Sequence, residues 1–317
     1  MGSLGKVGII GASHVGAHVA DALLSHGTVE EIRICDKDVL LSRAQANDMN
    51  DAMAYYPHRA RVLDCACEYE ELAGCDVIVN AAGHVAASKE NRDAENLLTP
   101  AEVATFAPRI MAAGFDGVWV TIANPCDVVA LELWKQTGME PGRIIGSGTA
   151  LDSSRLRHAL SDATGYDPDS INAWMLGEHG FSEFACFSHA MVGCLTLDEV
   201  EAQASIKLDR AAIEEAATHG GYITMQGKFC TEYSVANAAV KIVEAVLGDT
   251  KLVTPVSTLV DDVYGVSGIF SSLPCVIGAN GVEQVFVPKL SDSEVDSWHA
   301  TCEHIAQNVA AFEVSKA

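Results

Sequence analysis

The 317-residue chain is long for a single hydrophobic core and suits two domains that share an interface. With 49% hydrophobic and 20% charged residues it reads as a filled globular interior, and a formal net charge of -23 argues against nucleic acid or an anionic membrane surface as partner, since both need a basic patch. Ten cysteines without a Cys-x-x-Cys pair, several of them (Cys65, Cys67, Cys75, Cys186, Cys194) in apolar runs, together with no charged leader and no bilayer-length apolar stretch, lead us to expect a soluble protein of a reducing cytoplasm.

Lys6 to Ile10 is a short buried-strand run that flows into Gly11-Ala-Ser13-His-Val-Gly16 and then an amphipathic stretch, Ala17 to Leu24. In a strand, glycine-rich turn and helix of this kind, the first glycine makes the tight turn and the last lets helix and strand pack closely. The helix then faces a pyrophosphate with its unpaired amides. Ser13 replaces the middle glycine of the usual pattern and offers a hydroxyl donor to that phosphate. A second strand, Glu31 to Cys35, ends in Asp36, twenty residues after Gly16. A carboxylate there accepts from both ribose hydroxyls and repels a 2′-phosphate, which favours NAD over NADP. His14 and His18 have the spacing of a metal clamp, but HVGAH lacks the glutamate of a zinc-protease helix and the first turn is needed for phosphate, so no metal is expected. Cys65 and Cys67 share a face of a strand and are read as core.

Val77 to Asn80 is another buried strand, followed by Ala81-Ala-Gly83, a polar loop from His84 to Arg92, and a helical stretch to Ala113. The loop is a candidate lid, although without further context Arg92 reads first as a solvated residue of a first helical turn. Val118 to Ile122 is the next strand, and Asn124-Pro125 turns the chain into a helix, Asp127 to Thr137, stopped by Gly138. Alternation of strand and helix to about Ile145 predicts a doubly wound parallel sheet with its ligand crevice at the strand carboxyl ends, near Gly11, Asp36, Gly83, Arg92 and Asn124. We expect a dinucleotide-binding domain over 1–146 and a substrate domain over 147–317, joined near Gly146 to Gly148 by a change of architecture.

In the second half, Thr149-Ala-Leu-Asp152 has the form of a helix-capping segment before a helix from Ser153 to Asp162, closed by Gly165. Asp152 and Arg155 lie on one helical face, where an ion pair at the surface is worth little. Trp174 to Ser182, WMLGEHGFS, is an apolar strand-like run that stops abruptly and delivers Glu178-His179 between Gly177 and Gly180. By itself this is as readily a permissive turn as a presented histidine. Strands dominate from Ser170, followed by helices Arg210 to His219 and Tyr233 to Leu247, strands from Leu252 to Val287, and a final helix from Asp292 to Phe312.

Taken together these residues resemble the L-lactate and malate dehydrogenases, and within them the L-2-hydroxyisocaproate dehydrogenase branch. The resemblance runs through Gly11 to Gly16, Ala46-Asn-Asp48-Met-Asn-Asp-Ala52, Ala82-Gly83, Asn124-Pro125, Gly148-Thr-Ala-Leu-Asp152-Ser-Ser-Arg155, Leu176-Gly-Glu-His179-Gly180 and Thr231-Glu-Tyr-Ser-Val-Ala236, the last placed in the long helix. It implies an α/β fold, a Rossmann NAD domain followed by an α+β substrate domain, in a cytoplasmic homodimer or homotetramer. NAD would be held by Gly11, Ser13, His14, Val15, Gly16, Asp36, Ala82, Gly83, Ile122, Asn124 and Val235.

The roles the resemblance implies agree with the chemistry of the side chains. Oxidising an alcohol beside a carboxylate needs a base near neutral pH, which is His179, and a carboxylate that fixes its tautomer, which is Asp152. Arg155 offers the planar two-pronged donor that a substrate carboxylate wants. Arg92 would arrive on the closing loop to polarise the oxo group, Asn124 would donate to the same oxygen, and Thr231 would line the substrate side. Phe181 stands where the family usually has a polar residue, and Phe229-Cys230 replaces a common Gly-Tyr. Arg157 matches one half of a sugar-bisphosphate regulatory site, but Asn172 occupies the place of its histidine, so no such activation is expected. Six residues before Arg92, where malate enzymes carry an arginine, stands Ala86. The expected substrate is therefore a 2-oxo acid with a branched or aromatic side chain. The alternatives are an L-lactate dehydrogenase acting on pyruvate, then a malate dehydrogenase, and in a different class a non-catalytic dinucleotide-binding protein.

Overall fold

A computed structural model describes residues 4–83, 92–228 and 230–316, with the backbone alone for 92–95. Ala86, Phe229 and the Arg92 side chain lie outside the described residues. In the first half β1 (Gly5–Ile10), α1 (His14–His26), β2 (Val29–Cys35), α2 (Val39–Ala52), β3 (Arg61–Asp64), β4 (Val77–Asn80), α3 (Arg92–Ala112), β5 (Val118–Thr121), α4 (Cys126–Thr137) and β6 (Ile144–Gly146) follow one another. The strands β3-β2-β1-β4-β5-β6 lie side by side and pair in parallel. That order reverses between β1 and β4, the switch point at which such sheets open a ligand crevice.

Burial on both faces explains why these strands read as continuous apolar runs rather than alternating ones. Val7, Ile9, Val77 and Val79 face one core with α1, whereas Ile10, Ile78 and Trp119 face the other with Phe106 and Val129 of α3 and α4. Each such side chain contributes about 1.5–3 kcal/mol of burial.

The second half comprises α5 (Ala150–Thr164), five two-residue strands β7 (Ile171–Asn172), β8 (Met175–Leu176), β9 (Phe184–Ala185), β10 (Met191–Val192) and β11 (Leu195–Thr196), then α6 (Leu197–Ala204), α7 (Arg210–Lys228), α8 (Tyr233–Leu247), β12 (Leu252–Leu259), β13 (Phe270–Gly278), β14 (Gly281–Val285) and α9 (Asp292–Ser315). The sheet does not stop at Gly146: β12 pairs with β6 through Ser257, and β13 and β14 extend it with antiparallel pairing to nine strands. A Cβ on Gly146 would lie 2.7 Å from that of Ser257, so glycine lets the two halves join edge to edge. Helix α8 packs beside α1 on the same face of the sheet, adding Val235, Ala239, Ile242 and Val246 to that core.

Several elements differ from the sequence reading, each for a local reason. Helix α1 starts at His14, one residue after its N-cap Ser13, so His14 and Val15 belong to its first turn. Helix α5 starts at Ala150, directly after its N-cap position Thr149, so Asp152 sits in the first turn; the Thr149 hydroxyl donates to the Met175 carbonyl at 2.6 Å and does not cap the helix. Helix α7 continues through Gly220-Gly221 to Lys228, since those glycines lie against Arg155 rather than ending the helix. Thr231 precedes α8 and is not part of it. Cys65 and Cys67 follow β3, with Ala66 between them at a φ of 49°, so they do not share a strand face. No helix among the described residues is long and apolar enough to cross a membrane.

Candidate active site

The site forms where α5, the β8–β9 turn and α7 meet. Strand β8 delivers Gly177, whose φ of 95° only glycine adopts readily, and whose Cβ would lie 2.6 Å from Thr301 Cγ2 of α9. The chain then reverses, with Glu178 N donating to Thr301 Oγ1 at 2.9 Å and Ser182 Oγ donating to the Glu178 carboxylate at 2.5 Å. The turn is thus fastened to α9, and it aims His179 back toward α5.

His179 Nδ1 lies 2.6 Å from Asp152 Oδ2, and Arg155 Nη1 donates to Asp152 Oδ1 at 2.7 Å. One carboxylate, with a side chain only 2% exposed, therefore bridges the imidazole and the guanidinium, which are 18% and 20% exposed. This pair is not the surface salt bridge that spacing alone allows. Arg155 is seated by α7: a Cβ on Gly221 would come 3.0 Å from Nη2, and one on Gly220 3.3 Å from Cδ. One edge of the guanidinium is held by Asp152 and the rest remains for a ligand.

Burial alone would favour neutral imidazole, but the charge and hydrogen bond of Asp152 outweigh it and hold the His179 pKa above its ordinary value. Burial likewise pushes Asp152 upward, while the His179 charge, its hydrogen bond and Arg155 bring the carboxyl below the usual range. Asp152 is anionic and His179 is a good proton carrier near neutral pH.

Two buried acids escaped the sequence reading. Asp127, in the first turn of α4, accepts from His179 N at 3.1 Å and from Ser257 Oγ at 2.5 Å, tying the histidine backbone to the sheet. Burial pushes its carboxyl up to about 7. Glu183 lies within 4.8 Å of both Asp152 and His179. Burial, and then the Asp152 charge, hold its pKa well above the ordinary value. An acid inside a long apolar run is the one sequence signal that could have found Asp127; Glu183 follows a phenylalanine and a serine in a turn and gave none.

At the carboxyl ends of β1, β2 and β4 a cavity of about 170 Å³ is lined by Gly11, Ser13, Asp36, Ala82 and Gly83. Glycines, a serine and an acid at these strand ends are where a sheet of this kind receives the pyrophosphate and ribose of a dinucleotide. Gly11 has a φ of 94° and a Cβ there would lie 2.8 Å from Ala81, while a Cβ on Gly16 would lie 1.8 Å from the Gly11 carbonyl oxygen. The Ser13 side chain makes no capping bond, so the first-turn amides of α1, Val15 and Gly16 among them, keep their donors for phosphate. Asp36 is held by the amides of Ala12 at 2.7 Å and Asp38 at 2.8 Å, one on each oxygen.

The remaining predicted residues fall around these two centres. Ile122 is buried at the end of β5, Asn124 is exposed beyond it and joined to Pro125 by a cis peptide, and Arg92 opens α3. Val235 is buried in the first turn of α8, and Thr231 is half-buried between Cys230 and Glu232. His14 is turned aside: its Nδ1 lies 2.7 Å from Glu232 Oε1, and no His14–His18 clamp forms, because His18 Nδ1 contacts the His14 carbonyl. Phe181, 48% exposed, stacks on Tyr222 of α7 at 5.6 Å between ring centroids.

Residues 5–146 match the lactate/malate dehydrogenase NAD binding domain, and residues 149–313 the lactate/malate dehydrogenase alpha/beta C-terminal domain. The chain is 34% identical to an L-lactate dehydrogenase of Fusobacterium nucleatum subsp. nucleatum over 94% of its length and 93% of the relative. It is 31% identical to an L-lactate dehydrogenase 1 of Bifidobacterium longum over 96% of each chain. Among solved structures, a lactate dehydrogenase from a Medee basin deep-sea metagenome library superposes with a TM-score of 0.91 at 29% identity, covering 98% of this chain and 99% of that one. The malate dehydrogenase of Cryptosporidium parvum does so with a TM-score of 0.90 at 27% identity and the same coverage. The chain belongs to the lactate/malate dehydrogenase family, NAD-dependent oxidoreductases that act on the CH–OH group of a hydroxy acid.

Proposed function

We propose that this chain interconverts an L-2-hydroxy acid and its 2-oxo acid, with lactate and pyruvate as the pair its relatives support. The observation that carries the reading is the buried Asp152 carboxylate bridging His179 and Arg155. Bound NADH supplies the hydride, and the other requirements fall to this chain. With Nδ1 engaged by Asp152, His179 has Nε2 to give a proton to the oxo oxygen in reduction and to take it back in oxidation. Asp152 keeps the proton on Nδ1 and stabilises the imidazolium. Arg155 receives the substrate carboxylate on the edge that Asp152 does not occupy. Arg92 and Asn124 polarise the oxo group, and Thr231 lines the substrate side. Gly11, Ser13, His14, Val15, Gly16, Asp36, Ala82, Gly83, Ile122, Asn124 and Val235 surround the cofactor. We assign residues 1–146 to the cofactor and 147–317 to the substrate, in a homodimer or homotetramer.

A second reading, the isocaproate type with a branched or aromatic side chain, is favoured by the Phe181–Tyr222 stack two residues beyond His179, together with the uncharged Ala86 six residues before Arg92 in the sequence. An apolar wall gains about 0.8 kcal/mol per buried methylene. The test is kcat/KM with NADH for pyruvate, 2-oxoisocaproate, phenylpyruvate and oxaloacetate. Pyruvate should lead. A lead for 2-oxoisocaproate or phenylpyruvate transfers the assignment to the second reading, a lead for oxaloacetate overturns both, and no turnover with any of the four removes the 2-oxo acid assignment.

A further inference from the structure

The contact that turns His14 away from its helix brings together three side chains that the mechanism does not use as a set. His14, Cys230 and Glu232 each offer a donor atom within 4.8 Å of the others', with 2.7 Å from His14 Nδ1 to Glu232 Oε1 and 3.5 Å from Cys230 Sγ to the same oxygen. One comes from the phosphate-facing turn of α1, and the other two flank Thr231 just before α8. Nitrogen, sulfur and carboxylate oxygen are the three donor types that zinc takes, and three protein ligands leave its fourth position open to water.

From this juxtaposition we propose that His14, Cys230 and Glu232 form a binding site for a borderline-soft divalent cation of the Zn²⁺ class. Bonds of zinc length place tetrahedral ligand atoms about 3.3–3.7 Å apart. Cys230 and Glu232 already satisfy that spacing, and His14, 69% exposed, must withdraw by roughly 0.6 Å and has the room to do so. Glu232 is oriented as a ligand: its other oxygen is held by Lys228, the kind of outer donor that fixes a ligating carboxylate. On binding, the Cys230 thiol gives up its proton to solvent and the sulfur–metal bond forms without any change in oxidation state.

The site also has a consequence for turnover. A cation there ties the first turn of α1 to the segment carrying Thr231, so Zn²⁺ is an inhibitor; this consequence, unlike the site itself, rests on the dehydrogenase reading.

The site is tested by titrating the chelator-treated, otherwise intact protein with Co²⁺ and then displacing it with Zn²⁺. Wild type should take up one Co²⁺ per chain with a thiolate-to-metal charge-transfer band. Cys230→Ser should lose the band, and Glu232→Gln should weaken Co²⁺ binding by about tenfold or more. Cys194→Ser, which removes an exposed cysteine elsewhere, should bind as wild type does. Absence of the band in wild type, its survival in Cys230→Ser, or its loss in Cys194→Ser overturns the proposal. Zn²⁺ inhibition that is present in wild type and absent in Cys230→Ser supports the consequence; equal inhibition in both overturns it and leaves the spectroscopic result standing.

Discussion

Asp152 and His179 belong to different elements, yet their side chains meet at 2.6 Å, the carboxylate almost wholly buried and the imidazole at the cleft surface. The pair is an acid–base couple whose charge is set by tertiary contact. Asp152→Asn keeps the shape and removes the charge, so kcat should fall by on the order of 10²–10⁴-fold. The pH profile separates this from a general structural loss. Reduction requires protonated His179, whose pKa is raised in the folded enzyme, so kcat/KM for the oxo acid should hold below that pKa and fall as pH rises through it. In Asp152→Asn the falling limb should move to lower pH. A variant with wild-type kcat and an unmoved limb would take Asp152 out of the couple.

The Gly220–Gly221 seat of Arg155 makes a second prediction, in which stability and affinity part company. Gly221→Ala should favour α7 by up to about 1 kcal/mol, but its methyl meets Nη2 at 3.0 Å and must displace the guanidinium. We expect an unchanged or higher Tm with a raised KM for the oxo acid. Arg155→Lys should raise KM further, by on the order of 1.5–3 kcal/mol of lost charge-assisted bonding. If KM is unchanged in both variants, Arg155 does not hold the substrate.

Asp127 sits in the interior with its carboxyl raised to about 7. A carboxyl raised on folding binds its proton more tightly in the folded than in the unfolded chain. Its stabilising contribution is therefore complete below the ordinary aspartate range and is lost as pH rises to about 7. Asp127→Asn keeps an acceptor for His179 N and turns its amide to Ser257, without a charge to bury. Relative to wild type it should gain on the order of 2–4 kcal/mol between acid and mildly alkaline pH, read as a Tm difference that grows with pH. A difference that is flat with pH would count against a buried, titrating Asp127.

Cofactor choice follows from Asp36, whose two oxygens are fixed by backbone amides at the end of β2. Lys37, the neighbouring cation, is engaged by Glu102 at 2.8 Å. A 2′-phosphate would thus meet a fixed negative charge, and NADH should be preferred over NADPH by roughly tenfold or more, the equivalent of about 1.4 kcal/mol. Asp36→Ser should narrow the ratio. Equal initial rates with the two cofactors in wild type would show that Asp36 does not read the ribose.

The sequence by itself determined the parallel half of the fold and the cofactor crevice. These rest on local signals: apolar runs of strand length, the glycine pattern from Gly11 to Gly16, and an acid at the end of the second strand. It also singled out His179, Asp152 and Arg155, because residue type and a short motif suffice to nominate them. Only the tertiary structure decided what they do to one another. The spacing of Asp152 and Arg155 left a weak surface pair open until packing against β8 and α7 buried the carboxylate between two cations. The Gly220–Gly221 pair reads as a helix stop in one dimension and becomes a seat for Arg155 in three. Asp127, Glu183 and the meeting of His14 with Cys230 and Glu232 were beyond the sequence for the same reason. Their chemistry comes from burial and from neighbours distant in the chain, and neither desolvation nor a partner's charge is carried by a residue's local pattern.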